Sequence, residues 1–271
     1  MEYHQSNLKH FFDCPFKVLL SMKHQLKPSM PQRDGLIMEA FVLGKKENTD
    51  MDELIGRKKK ETILGFQSIA EKVKSYFIEG DSYVKLSHKF KEYTLAGEAD
   101  FIGTILYEGK ELRAIADLKF TGDIGVTWLH GKRSKQDFLQ AVTYPYLWYK
   151  KTKELLPFCY IIVENDENTI IKTVLVEVTK EDFKWFENLL DYIHRAEKAP
   201  NIELNDEYGN NACVSNFGKR RCEYLSHCKF GLEHVGQSVR FNFNDLHDRV
   251  DWTEIINRKE AEQKLNELTG G

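Results

Sequence analysis

No stretch of this sequence approaches the roughly 18 consecutive apolar residues of a membrane-spanning helix. The opening MEYHQSNLKHFF lacks the basic-then-apolar layout of a signal peptide. A phosphate-binding G-x-x-x-x-G-K-[ST] loop is missing too, so the chain carries no nucleotide-driven motor of its own. There is little excess of charge of one sign: 39 Lys and Arg stand against 42 Asp and Glu, for a net charge of -3. A nucleic-acid partner would therefore have to be met by local patches such as GRKKK (56–60) or GKRR (218–221). Each patch also reads as an ordinary solvated run. Closely spaced CxxC pairs are absent, and the cysteine count of five is odd, which argues against a simple disulfide framework. These absences lead us to expect a protein of a reducing bacterial cytosol, or of a phage that replicates there, with free thiols that read as metal ligands before disulfides.

What is present suits a packed globular protein. Hydrophobic residues make up 41% and aromatic residues 12% of the 271 positions, enough for one large domain or two small ones. SNLKHFFDCPFKVLLSMKHQL has a helical period broken by Pro15, which predicts two short helices or a bent one. DGLIMEAFVLGKK predicts a helix carrying Glu39, and ETILGFQSIAEKVKSYFIEG an amphipathic helix ended by Gly80. The segment from Tyr83 to Thr121 is rich in β-branched and aromatic residues and predicts two to four strands, the last two paired across EGKE. SKQDFLQAVTYPYLWYKKTK returns to helix around Pro145; FCYIIVEN and TIIKTVLVEVT are further strands; KEDFKWFENLLDYIHRAEKA is a final amphipathic helix. Helices, then a mixed sheet with crossing helices, predict one α/β domain. The loop-like cysteine-rich stretch, 201–235, would fold against its N-terminal helix. A polar tail follows, helical near 253–268 and without legible chemistry.

The chemistry concentrates in AIADLKFTG and LAGEADFIG. Asp117 and Lys119 lie two apart in an apolar run and so share one face of a strand, with Leu118 on the other. Asp100 ends the neighbouring strand candidate, and pairing of the two strands would bring both carboxylates together. Buried charges are expensive unless paired or bound to a metal. A hard divalent cation is the usual remedy for two adjacent carboxylates. Mg²⁺ or Mn²⁺ would take Asp100, Asp117 and the Leu118 carbonyl as ligands, and Lys119 would orient an activated water for phosphodiester hydrolysis. The alternative is a plain Asp117–Lys119 ion pair at a strand end. QAVTY sets Gln140 and Tyr144 one helical turn apart on a single face, able to brace the ligands or hold a nucleic-acid backbone, although YPYLWY also reads as core. Glu39 would approach the same metal from a third direction, unless it is simply on a solvated helix face.

The order Glu39, GEAD with Asp100, DLK with Asp117 and Lys119, then QAVTY resembles the PD-(D/E)XK nuclease superfamily. The trailing Gln-x-x-x-Tyr is similar to the RecB-like branch. The resemblance spans residues 39–144 and implies a restriction-endonuclease-like mixed sheet flanked by helices, with metal-dependent cleavage of DNA. It implies metal ligation by Asp100 and Asp117, a catalytic Lys119, and Gln140 and Tyr144 lining the site. Many RecB-like nucleases place a histidine where this chain has Glu39; phage-type exonucleases of the superfamily carry a glutamate there.

Among the cysteines, Cys159 sits in the apolar run PFCYIIV and reads as a small core residue. Cys14, Cys213, Cys222 and Cys228 remain, and four thiols suit either Zn²⁺ or an iron–sulphur cluster. One cysteine before the nuclease motifs and three after them, with CPF and C-x-Y-x-x-x-C, is similar to the iron–sulphur nucleases of the CRISPR-associated and helicase–nuclease type. That similarity implies a 4Fe–4S cluster stapling the two ends of residues 1–235, with 236–271 as a tail. Cys213 departs from that pattern, since eight residues rather than two precede the next cysteine, and His227 and His234 are substitutes for it.

The resulting expectation is a Mg²⁺- or Mn²⁺-dependent exonuclease for single-stranded DNA or DNA ends, in phage recombination, DNA repair or CRISPR adaptation. Tyr144 and Tyr146 would stack unpaired bases. The rival readings are a non-catalytic DNA-binding scaffold, a zinc-stapled regulator, and an enzyme that needs a helicase or CRISPR-integration partner.

Overall fold

The computed structural model describes residues 2–12, 15–24, 28–47, 49–56, 58–121, 132–164, 169–198, 214–215 and 220–221. The chain opens with a short strand β1 (Glu2–His4), a helical turn α1 (Gln5–Leu8) that runs into a 3-10 turn (Lys9–Phe12), and α2 (Pro15–Lys23). Pro15 begins α2, where a missing N–H costs nothing, so the expected break falls at the proline. Helix α3 (Met30–Leu43) is capped by Ser29 and Gln32 and ends at Gly44; a short α4 (Met51–Ile55) and α5 (Lys60–Lys74) follow.

Three long strands come next: β2 (Phe77–Phe90), β3 (Tyr93–Tyr107) and β4 (Lys110–Thr121). Gly80 does not end α5, as its position had suggested. It lies within β2, facing Gly103 of β3 so closely that a Cβ on Gly80 would fall 2.6 Å from the Gly103 Cα. The amphipathic period simply stops at Lys74, and the β-branched and aromatic residues beyond it pair across the sheet. Helix α6 (Lys132–Thr152) carries Pro145 internally. Strands β5 (Phe158–Glu164) and β6 (Ile171–Val176), then α7 (Lys180–Lys198), complete the main body. A two-residue ladder pairs β7 (Val214–Ser215) with β8 (Arg220–Arg221).

The result is an α/β architecture with a six-stranded mixed sheet. Strand β3 is its pivot. One edge of β3 pairs antiparallel with β2 over almost its whole length. Its other edge pairs in parallel with β1 at Thr94–Ala96 and antiparallel with β4 at Phe101–Tyr107. Strand β4 then pairs in parallel with β5, and β5 antiparallel with β6. One face of the sheet is covered by α6 and α7, through Leu139, Val142, Tyr146, Phe186 and Leu190. The other face is covered by α3 and α5, through Ile37, Met38, Phe66 and Val73. Alternation along β4 sends Ala114, Ala116 and Leu118 to the α3–α5 side and Ile115 to the α6–α7 side. Cys159 is fully buried in β5, as its apolar surroundings predict. Among the described residues no helix is long and apolar enough to cross a membrane. Cys14, Cys213, Cys222, Cys228, His227, His234, the division at residue 235 and the tail lie outside the described residues.

Candidate functional site

Asp100 does not end its strand: it sits inside β3, where that strand changes neighbours. Pairing with β1 stops at Ala96 and pairing with β4 begins at Phe101, so the backbone between them is free of the ladder on that edge. On the other edge the register steps from Val84↔Ala99 to Ser82↔Phe101, leaving Tyr83 opposite Asp100 at the omitted position. Ala99 faces the α6–α7 side while Phe101 faces the α3–α5 side, so the strand turns over at Asp100. Strict alternation from the sequence cannot show this irregularity.

The opening between β1 and β4 receives the polar groups. Strand β4 extends past its last pairing with β3, and the Leu118 N–H donates to Asp100 Oδ2 at 3.1 Å. Asp117, only 2% exposed, lies on β4 with its Oδ2 at 2.5 Å from Lys119 Nζ. Gln140 of α6 donates its amide to Asp117 Oδ1. The Lys119 ammonium is also 5.7 Å from the centre of the Tyr160 ring, contributed by β5. Tyr144, one turn beyond Gln140, packs in a parallel orientation near Phe158 with ring centres 6.2 Å apart, and its ring edge lies over Gly97. A Cβ at residue 97 would come within 2.9 Å of that ring, so the glycine of GEAD makes room for the tyrosine.

The electrostatics describe crowded carboxylates. Burial, then the charges of Asp117 and Glu39, raise Asp100 well above the usual carboxylate range, while Lys119 and the Leu118 N–H pull it back. Burial pushes the Glu39 carboxyl from 4.5 up to about 7, with Asp117 adding to the rise and Lys46 and Lys119 opposing it. Glu39, Asp100 and Asp117 therefore act on one another from α3, β3 and β4. The Tyr144 hydroxyl is held well above its ordinary range by burial and by the charges of Asp100 and Asp117.

All five residues proposed for catalysis from the sequence, Asp100, Asp117, Lys119, Gln140 and Tyr144, thus converge on one region, with Glu39 beside them. Two expectations change. Tyr146 is fully buried and Tyr144 only 7% exposed, so neither ring can stack on an unpaired base. Tyr146 instead packs on Phe183 and Phe186 and hydrogen-bonds Glu187 at 2.9 Å, because its face of α6 is covered by α7. Three residues near the site escaped the sequence reading. Glu98, two before Asp100, pairs with Lys46 in the segment after α3, and the Lys46 ammonium lies 5.5 Å from the Tyr83 ring centre. Glu98 was visible inside GEAD; Tyr83 and Lys46 carried no sequence signal.

The donor set is made of carboxylate oxygens, with the Leu118 carbonyl on the same strand, and oxygen donors suit a hard cation such as Mg²⁺ or Mn²⁺. Burial is the main cause of the rise at Asp100 and Glu39, and the repulsion among the carboxylates that adds to it is the kind a divalent cation relieves. Among the described residues, however, no group of three His, Cys, Asp or Glu side chains is drawn together as a finished metal cage. In this arrangement the positive charge against Asp117 is the Lys119 ammonium.

No known protein-family pattern matches the sequence, and no curated protein matches it. The fold does have a solved counterpart. A candidate exonuclease from Eubacterium rectale superposes with a TM-score of 0.55 over 92% of this chain and 94% of its own, at 15% identity. At that identity the shared property is the fold. A second structure, that of SSO0001, matches with a TM-score of 0.38 and 13% identity over 72% of this chain and 76% of its own, too distant to argue from. The chain is thus an α/β protein that shares the fold of the Eubacterium rectale candidate exonuclease.

Proposed function

We propose that the protein is a metal-dependent deoxyribonuclease of the PD-(D/E)XK type, a RecB-like exonuclease for single-stranded DNA or DNA ends. The observation that carries the reading is the contact set of Asp117. A buried carboxylate is braced by Gln140 and paired with Lys119 on the same strand, beside an Asp100 that accepts from the Leu118 N–H. The fold shared with the Eubacterium rectale protein supports the reading in general terms.

Asp100, Asp117 and the Leu118 carbonyl would hold Mg²⁺ or Mn²⁺, with Glu39 approaching from α3. The ion would supply an acidified water and a Lewis acid for the phosphate oxygen. Gln140 keeps Asp117 in one orientation, so the carboxylate need not reorganise when its charge is used. Lys119 is 30% exposed at its side chain and can turn from Asp117 to a phosphate oxygen or the attacking water, offsetting charge there. Tyr144, nearly buried, packs its ring against Gly97 beside these groups. The iron–sulphur cluster on Cys14, Cys213, Cys222 and Cys228, with zinc as its alternative, is part of this proposal on the strength of the cysteine pattern alone.

A second reading is a DNA-binding protein, inert by itself or active only in a larger assembly. Its support is that Lys119 engages Asp117 and no three-residue metal cage is gathered among the described residues. Cleavage of end-labelled single- and double-stranded DNA with Mg²⁺ or Mn²⁺ separates the two. Products that form with wild type and vanish with Asp117→Ala support the nuclease; no products from folded wild type support the second reading.

A further inference from the structure

Helix α3 brings Glu39 towards the carboxylates, and two contacts just beyond its end tie it to the sheet beside Asp100. The Gly44 carbonyl, at the C-terminal cap of α3, accepts a hydrogen bond from Tyr83 Oη at 2.7 Å. Lys46 pairs with Glu98, two residues before Asp100 on β3, and stands over the Tyr83 ring. Tyr83 has a φ of 56° inside a strand. A bulky aromatic residue is strained in that left-handed region, and such strain persists only where the surroundings enforce it. The strain falls opposite Asp100, the position where β3 turns over. Burial, and then the charges of Glu39, Asp100 and Glu98, act on the Tyr83 hydroxyl.

We propose that Tyr83 and the Lys46–Glu98 pair form a clamp that sets how closely Glu39 approaches Asp100 and Asp117, and thereby the affinity of the site for a divalent cation. The clamp rests on the metal-dependent reading above. Tyr83, Lys46 and Glu98 are positioning residues: they act through α3 and touch neither the cation nor the substrate. Groups that orient metal ligands typically carry about 10- to 100-fold of metal affinity.

The test is Mn²⁺ binding to the full chain without DNA, followed by calorimetry and by loss of the free Mn²⁺ resonance signal. Tyr83→Phe keeps the ring and removes only the hydrogen bond to Gly44. It should weaken Mn²⁺ binding roughly 10-fold, the low end of that range. In a Glu39→Gln background the same change should have no further effect, because the clamp works through Glu39. Lys46→Met should weaken binding in the same way, and Lys46→Arg, which keeps the pair with Glu98, should restore it. Wild-type affinity in Tyr83→Phe, or an equal loss with and without Glu39, would overturn the clamp. Asp117→Asn separates the two levels: if it leaves Mn²⁺ binding intact, the metal reading itself fails and the clamp falls with it. If Asp117→Asn abolishes binding while Tyr83→Phe and Lys46→Met do nothing, the metal reading stands and the clamp alone is wrong.

Discussion

Glu39→Gln should make the metal-free protein more stable at alkaline pH, even though it removes a group assigned to the site. Glutamine has the shape of glutamate without its charge. The Glu39 carboxyl is pushed from 4.5 to about 7, mainly by burial and then by Asp117. At about 1.4 kcal/mol for each tenfold change in proton affinity, keeping it ionised costs at most about 3–4 kcal/mol. Glu39 retains some contact with solvent, and screening there reduces the expected gain to about 1–2 kcal/mol. The sign follows from proton uptake: between pH 4.5 and about 7 the folded wild type holds a proton that the unfolded chain has released. Wild-type stability therefore falls as pH rises through that window, and the full penalty applies above about 7. Urea unfolding with a chelator present is the assay. With a denaturant slope of about 3 kcal/mol per molar, the variant's midpoint at about pH 8 should lie roughly 0.5 M higher, and the difference should nearly vanish at pH 4.5. Equal midpoints at pH 8, or the same gain at both pH values, would refute the picture of a carboxylate whose charge is penalised by burial and by Asp117.

Other outcomes follow from the same geometry. Gln140→Ala should lower the cleavage rate about 10- to 100-fold with little change in substrate affinity, because Asp117 loses its brace rather than its charge; steady-state kinetics on labelled DNA will tell. Gly97→Ala puts a methyl 2.9 Å from the Tyr144 ring, so about 1–3 kcal/mol of stability should be lost in urea titration, with activity falling as Tyr144 is displaced. Phe186→Ala, at a fully buried position on the inner face of α7, should cost about 3–5 kcal/mol and leave the metal affinity of the surviving folded protein unchanged. Anaerobically purified protein should be brown, and Cys228→Ala should bleach it; a colourless, zinc-loaded wild type would replace iron with zinc.

How much of this was legible in the chain alone depends on the range of each interaction. Local periodicity sufficed for α3, α6, α7 and the β3–β4 hairpin, whose Tyr107↔Lys110 end pair closes around the EGKE turn. A period of two also put Asp117 and Lys119 on one side of β4, and a period near four aligned Gln140 with Tyr144. Side-chain direction within one element is a local property, so those residue sets were determined by the sequence by itself. The end of α5 was misplaced because Gly80 reads as a helix stop, while its closeness to Gly103 is visible only once β2 and β3 pair. The position of Asp100 inside β3, the turnover of that strand and the left-handed Tyr83 all arise where one strand trades β1 for β4 as its neighbour. The burial of Tyr146 needs α7, some forty residues away in sequence. Tertiary structure alone decided those features, because each depends on a partner that approaches from elsewhere in the chain and leaves no periodic trace in the residues it meets.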